Sequence, residues 1–233
     1  MSALQSFFES TGGRTAVIGL IVVLFAIILY SGKGKKTDTK ILVISAMLVA
    51  LAVVLNQIKL FTMPQGGSVS PFAMVPIVLI GYFFGVRRGV IAGMCMGLME
   101  LVLGPYVIHP VQLLVDYPLA FGALGIGAVF RNQEKIPLIK CYLPGVLGRY
   151  ICAVISGIVF FGDYIPDPKF NAVTWSLFYN ITYLGIEAVA TTVVLCIPAV
   201  NKAFARLRTQ AYVSGATRPL GTGWLAGRPS CFG

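Results

Sequence analysis

The chain has 233 residues, of which 57% are hydrophobic and only 11% are charged, and its mean hydropathy is +0.86. A soluble domain carries about twice that fraction of charged residues, because its surface must interact with water. The composition therefore argues against a soluble enzyme, a disordered chain and a secreted disulfide scaffold, and it predicts an all-α integral membrane protein.

Seven apolar runs follow one another along the chain, and each approaches the roughly 20 residues that a helix needs to cross a bilayer. Helices are the expected form, because a backbone in lipid must satisfy its own hydrogen bonds. Lysines follow the first run where a signal peptide would have a cleavage site, so this run is interpreted as a retained span. The runs cover about residues 15–30, 41–57, 71–86, 89–104, 111–130, 141–162 and 172–199.

The basic residues indicate how the chain is oriented. Fourteen of the 18 Lys and Arg lie in the loops after the first, third and fifth runs and in the C-terminal tail, and only three lie on the other side. Positive residues stay in the cytoplasm, so we expect an external N-terminus and a cytoplasmic C-terminus in the plasma membrane. The same rule explains the net charge of +10 without a nucleic-acid partner. From about Ala203 no helical period is visible, and we expect a mobile cytoplasmic tail.

Several polar side chains fall inside the predicted spans, where a charged group usually faces a cavity or a partner. At about 1.5 Å of rise per residue, Glu100, Asp116 and Asn180 lie in the outer half of the membrane. Arg149 and Glu187 lie deeper, at similar levels, which allows them to pair. The three outer groups predict a polar cavity that opens outward.

Aromatic residues gather at the level of these acids, among them Tyr106, Tyr117, Phe161 and Trp175. An interfacial aromatic belt accounts equally well for any single one of them. It does not account for acids at the same depth. Acids together with aromatic faces are suited to an aromatic or cationic small molecule.

Two pairs of small residues are spaced by one helical turn, which lets another helix approach closely. Ala46 and Ala50 form an AxxxA pattern in the second run, and Gly93 and Gly97 form GxxxG in the fourth. For the glycines, packing inside the protein is at least as good an explanation as a partner.

The sequence has no recognisable pattern for catalysis, for a metal site or for a cofactor. The KGKKT stretch near Lys35 lacks the spacing of a phosphate-binding loop, so we expect no ATPase activity. His109, the single histidine, is interpreted as a loop residue near the interface, with a proton relay as the alternative.

Several stretches resemble one family of membrane proteins, the thiamin-specific S component of energy-coupling factor (ECF) transporters. They are LNQIKLFTMPQGGSV, PFAMVPIVLIGYFFGVRRG, LGPYVIHPVQLLVDYPLAFGALG, GRYICAVISGIVFF and TWSLFYNITY. The resemblance extends over about residues 40–200 and is most specific in the GPY…HPVQ…DYPLAFGALG stretch.

The resemblance implies a six-helix membrane domain that binds thiamin from outside and has no ATPase of its own. Such a subunit docks on a transmembrane coupling subunit and two ATP-binding cassette subunits, with Ala46 and Ala50 on the docking face. The first span is then an addition to the six helices. The implied organisation is an extra helix and basic loop over 1–36, the substrate-binding domain over 37–202 and the tail over 203–233.

The resemblance also implies a substrate site. Asp116 matches the acid that holds the aminopyrimidine, and Asn180 matches the Asn that bonds the same ring. A histidine of the family beside the thiazolium falls on Ala153, and the first outer loop lacks a tryptophan lid. The loop at Gly66–Gly67 is expected to fold over the ligand. The predicted substrate-binding residues are Glu100, Tyr106, Asp116, Tyr117, Arg149, Phe161, Trp175 and Asn180.

Three alternatives remain at this level. The same fold can bind a thiamin precursor or another vitamin. A proton-coupled carrier working alone would use Asp116, Glu100 and His109 as a relay. A membrane-embedded enzyme is the least favoured, because no catalytic constellation is recognisable.

Overall fold

A computed structural model describes residues 38–214 of the chain, and for residues 212–214 the backbone only. Within this range it leaves out Gln65, Pro105, Val107, Glu134, Lys135, Asp163, Tyr164, Asp167 and Pro168. The predicted N-terminal span and the end of the predicted tail lie outside the described residues.

The described part is almost entirely helical. A short antiparallel hairpin of β1 (Phe61–Thr62) and β2 (Ser68–Val69) pairs Phe61 with Val69 and Thr62 with Ser68. The helices are α1 (Thr39–Gln57), α2 (Val75–Phe84), α3 (Val86–Leu103), α4 (Pro110–Phe130), α5 (Pro137–Phe160), α6 (Ala172–Cys196) and α7 (Pro198–Ser214).

Four of the described helices, α1, α4, α5 and α6, are long and apolar enough to cross a membrane. α2 is apolar but has 10 residues. α3 has 18 residues and carries Arg87, Arg88 and Glu100. The chain is therefore a multi-pass membrane protein with a mostly helical fold.

Local sequence signals set the ends of the helices that carry the polar residues. The Nδ1 atom of His109 accepts a hydrogen bond from the backbone N–H of Val111 at 3.1 Å, which caps the start of α4. At the start of α6, Asn171 and Thr174 exchange side-chain to backbone hydrogen bonds in a capping box. These caps fix where the two helices enter the bundle.

The GxxxG pair packs inside the protein. A Cβ atom on Gly93 would collide with the Phe121 carbonyl group of α4, and one on Gly97 would collide with the Tyr117 carbonyl group. The absence of side chains at these two positions lets the backbones of α3 and α4 touch. Of the two explanations for the GxxxG pattern, packing inside the protein is therefore the correct one.

The C-terminal region differs from the expectation of an irregular tail, because Ala203 to Ser214 continue α7. Val200, Phe204 and Ala211 pack against the core at spacings of a helical face. The Arg208 guanidinium donates to the Arg131 carbonyl at 2.7 Å and lies 4.6 Å from the centroid of the Tyr82 ring. The sequence analysis missed this helix because its apolar face is narrow and its composition is polar.

Candidate functional site

A cavity of about 150 Å³ lies between α3, α4, α5 and α6, beside the end of α1 and the hairpin. Its walls are formed by the second half of α5 and the first half of α6, together with the start of α4. The eight residues predicted to bind the substrate all line this cavity: Glu100, Tyr106, Asp116, Tyr117, Arg149, Phe161, Trp175 and Asn180.

Asp116 and Tyr117 lie in a widened turn of α4. The helix is π-helical over Val115–Leu119, and Pro118 lies inside this segment. Proline has no N–H to donate and its ring clashes with the preceding turn, so a proline within a helix forces such a local change. Helices widened in this way occur often at functional sites. Pro118 in the middle of an apolar run was the sequence signal for this distortion.

Gln112, which the sequence analysis did not single out, holds Asp116 in place. Its side-chain amide donates to Oδ2 of Asp116 at 2.7 Å and to the Tyr106 carbonyl at 3.0 Å. Its Oε1 accepts from the backbone N–H of Ile108 at 3.2 Å. Gln112 therefore ties the loop before α4 to the carboxylate, and its position one turn before Asp116 was the available signal.

Aromatic residues from two elements form one wall of the cavity. The Tyr106 ring stacks on Phe161 with 6.0 Å between the ring centroids and 21° between the planes. The Tyr117 hydroxyl accepts from the backbone N–H of Tyr106 at 2.8 Å. Tyr117 thus fixes the loop that presents Tyr106, and Tyr106 and Phe161 present ring surfaces beside the acid.

Asn180 connects α6 to α5 at the opposite wall. Its Nδ2 donates to the Ser176 carbonyl at 2.9 Å and to the Ala153 carbonyl at 3.3 Å. Its Oδ1 accepts from the Tyr183 hydroxyl at 3.0 Å. Because an amide oxygen has two lone pairs, Oδ1 can accept one further hydrogen bond from a ligand.

The hairpin loop contacts the aromatic residues of the cavity directly. The backbone N–H of Gly67 donates to the Tyr179 hydroxyl at 2.9 Å, and the Tyr179 ring lies 6.0 Å from that of Trp175. A Cβ atom on Gly66, which has a φ of 88°, would lie 3.0 Å from Cβ of Tyr106. The two glycines therefore bring the loop backbone onto the rim of the cavity.

Glu100 is buried and connects the cavity to α1. The side-chain amide of Gln57, the last residue of α1, donates to its two carboxylate oxygens at 3.4 Å and 3.3 Å. Asn56 and Lys59, beside Gln57, also line the cavity. The acid of α3 thus anchors the end of the helix that carries Ala46 and Ala50.

Arg149 and Glu187 do not pair directly, contrary to the expectation from their depths. The Arg149 guanidinium lies 4.1 Å from the centroid of the Phe121 ring, in a cation–π contact. The Glu187 carboxylate instead accepts from the backbone N–H of Met74 at 3.4 Å, at the start of α2. Similar depth in the membrane does not by itself bring two side chains together, because a contact also depends on how each helix is rotated about its axis.

Comparison with known proteins shows which family the chain belongs to. The profile of the family described as thiamine transporter protein (Thia_YuaJ) matches residues 42–206. The chain belongs to this family. It is 37% identical over 169 residues to the thiamine transporter ThiT of Bacillus subtilis, a match that covers 65% of this chain and 86% of that protein.

Two further relatives agree with this assignment. The thiamine transporter ThiT of Lacticaseibacillus paracasei is 28% identical over 140 residues, which is 53% of this chain and 69% of that protein. A solved structure of ThiT from Listeria monocytogenes matches with a TM-score of 0.55 and 24% identity, and it covers 75% of this chain and 94% of that one. The solved structure shows that the fold is shared.

The AxxxA pair of this family member lies on the surface of α1. Ala46 and Ala50 are exposed, and Met47 between them is 68% exposed. Leu42 and Val54 extend the same apolar surface along the helix. In a membrane this surface contacts lipid or another helix, and its small residues permit a close approach.

Two other features concern the chemistry of the site. Ala153 lines the cavity, so a methyl group occupies the position that the resemblance gives to a histidine. Among the described residues, no group of three His, Cys, Asp or Glu is arranged to hold a metal ion. His109 does not line the cavity, and its ring stacks on Phe160 at 5.1 Å.

Proposed function

We propose that this chain is the substrate-capture subunit of an ECF-type vitamin importer and that it binds thiamin from outside the cell. The observation that carries the proposal is the convergence of Asp116, Asn180 and a set of aromatic rings on one cavity in a member of the thiamine transporter family. Capture and handover require no chemistry on the substrate, so no ATPase or catalytic group is needed in this chain.

The cavity is complementary to the two rings of thiamin. The Asp116 carboxylate and the Asn180 Oδ1 atom can accept hydrogen bonds from the aminopyrimidine. Tyr106, Phe161 and Trp175 offer ring faces, which attract a cation such as the thiazolium. Arg149 also lines the cavity, where its guanidinium contacts the Phe121 ring.

The partners in this proposal are a transmembrane coupling subunit and two ATP-binding cassette subunits. Ala46 and Ala50 would admit a helix of the coupling subunit, and membrane lipid would cover the other apolar surfaces. The proposed organisation has a six-helix domain over 37–202, preceded by one further span within 1–36. The region from 203 onward, whose first part is helical, would lie in the cytoplasm.

The proposed orientation has support from the charges at the two ends of the bundle. At the end where α7 lies, the described helices and the turn after α4 carry eight basic residues: Lys40, Arg87, Arg88, Arg131, Lys140, Lys202, Arg206 and Arg208. At the end where the cavity lies, the described basic residues outside the helices are Lys59 and Lys169, and Arg149 lies within α5 and lines the cavity. A cytoplasmic α7 and an outward-facing cavity follow from the positive-inside rule.

A proton-coupled carrier is the less favoured function. Its relay would run through Asp116, Glu100 and His109, but the His109 ring caps α4 and stacks on Phe160 outside the cavity wall. A different ligand of the same fold remains the second candidate, because Ala153 leaves the thiazolium end without the histidine of the family.

Titration calorimetry of the purified full-length protein tests the proposal. Thiamin is expected to bind in a one-to-one complex, and its pyrimidine half is expected to retain more of the affinity than its thiazole half. Absence of thiamin binding would refute the proposed ligand. Uptake into vesicles that depends on the coupling subunit and the two ATP-binding cassette subunits separates an ECF subunit from a carrier that works alone.

A further inference from the structure

The cavity wall contains a buried hydroxyl group without a hydrogen bond of ordinary geometry. Ser156, on α5, is 1% exposed and lines the cavity, and its Oγ has no such hydrogen bond to any residue that the structure describes. It lies beside the Asp116 carboxylate, in a geometry that does not make a hydrogen bond. Buried polar groups in folded proteins nearly always have a partner, so this exception needs an explanation.

Ser176 provides the comparison within the same cavity. It is 2% exposed, and its Oγ donates to the Val154 carbonyl at 2.9 Å and accepts from Asn180 at 3.2 Å. Two buried serines therefore line one cavity, and of these two Ser156 is the one without a well-formed hydrogen bond among the described residues. The Ser156 hydroxyl thus has hydrogen-bonding capacity left for a molecule that enters the cavity.

The groups around Ser156 specify what this molecule presents. Gln112 bonds Oδ2 of Asp116, which leaves most of the acceptor positions of the carboxylate available. A hydroxyl oxygen is an acceptor as well. Ser156 and Asp116 thus form two adjacent oxygens from two helices, an arrangement that suits a group with two diverging N–H donors.

We propose that Ser156 is a substrate contact that, together with Asp116, binds the amino group on the pyrimidine ring, so that each of its two N–H groups has an acceptor. This inference rests on the proposed function, since it takes thiamin as the ligand. It gives Ser156 a part in selecting amino-substituted rings over rings without the amino group.

The test compares Ser156→Ala with the unmodified full-length protein, with thiamin and with its analogue that has hydrogen in place of the pyrimidine amino group. Loss of one neutral hydrogen bond should weaken thiamin binding by about two- to tenfold. Binding of the analogue should change less than twofold. Thr182→Val is the control, because the Thr182 hydroxyl bonds the Phe178 carbonyl of its own helix and does not line the cavity.

Thermal unfolding without ligand separates this role from a structural one. Ser156→Ala removes an unpaired buried hydroxyl, so the unfolding temperature should not fall, whereas Ser176→Ala should lower it. If Ser156→Ala does not fold, the test is repeated with Ser156→Cys, which changes the shape of the side chain less than Ser156→Ala does.

Three results would overturn the inference. Unchanged thiamin affinity in Ser156→Ala would show that Ser156 does not contact the ligand. Equal weakening of thiamin and analogue binding would show that Ser156 only positions Asp116. If the unmodified protein bound the analogue but not thiamin, or neither, the proposed function would fail and this inference with it.

Discussion

Asp116→Asn is the substitution that tests the proposed site most directly. Asparagine keeps the size of the side chain and one acceptor oxygen, so the 2.7 Å hydrogen bond from Gln112 can persist and the loop before α4 should stay in place. The substitution replaces the other carboxylate oxygen by an NH₂ group, which donates hydrogen bonds. That donor would face the amino group of the pyrimidine, and the negative charge is lost as well.

The expected size of the effect follows from this geometry. A hydrogen bond to a charged acceptor contributes about 1.5–3 kcal/mol, which corresponds to roughly a ten- to hundredfold loss of thiamin affinity. The measurement is calorimetric titration of the purified variant, together with thermal unfolding without ligand to check that the fold is intact.

Asp38→Asn is the matched control for this measurement. It makes the same chemical change at the N-cap of α1, where the Asp38 side chain accepts from the backbone N–H of Lys40. Asparagine is an equally good N-cap, so neither stability nor binding should change. An Asp116→Asn protein that binds thiamin with unchanged affinity would show that the ligand does not contact this carboxylate and would refute the reasoning.

Three further predictions follow from other parts of the molecule. Ala46→Trp combined with Ala50→Trp should abolish uptake through the coupling subunits but leave thiamin binding by the isolated subunit unchanged; persistent uptake would exclude this surface as the docking site. Ala153→His should tighten thiamin binding in calorimetry by adding a ring beside the thiazolium, whereas weaker binding would show that the space is already filled. Gly97→Ala should destabilise the protein by about 1–3 kcal/mol, because its Cβ would collide with the Tyr117 carbonyl; an unchanged melting temperature would contradict the tight packing of α3 on α4.

The resemblance located much of the candidate site, and the residues that it missed share one property. Asp116 was visible because charged groups within apolar runs are rare and stand out, and Asn180 was visible because it matches an Asn of the family that the sequence resembles. Gln112 and Ser156 also lie within apolar runs, but neutral polar residues are common there and carry no signal of their own. Their importance depends on a single neighbour, the Asp116 carboxylate, which one of them contacts and the other faces.

The class of the protein and the approximate positions of the helices α1 to α6 follow from the sequence alone, whereas α7 was missed. Each of the six apolar runs from residue 41 onward overlaps chiefly with one of the helices α1 to α6, because a backbone within the hydrocarbon core must satisfy its own hydrogen bonds. The predicted last run reached residue 199 and so crossed the boundary at Ile197, which separates the end of α6 at Cys196 from the start of α7 at Pro198.

Which side chains meet depends on the tertiary structure. Depth along a helix follows from counting residues, but the contact between two side chains also depends on how each helix is rotated and how closely the backbones approach. Arg149 and Glu187 lie at similar depths and yet contact Phe121 and the start of α2, respectively. Rotation and close approach are set by packing across the whole bundle, where Gly97 lets α3 touch the π-helical turn, and no local stretch of sequence contains that information.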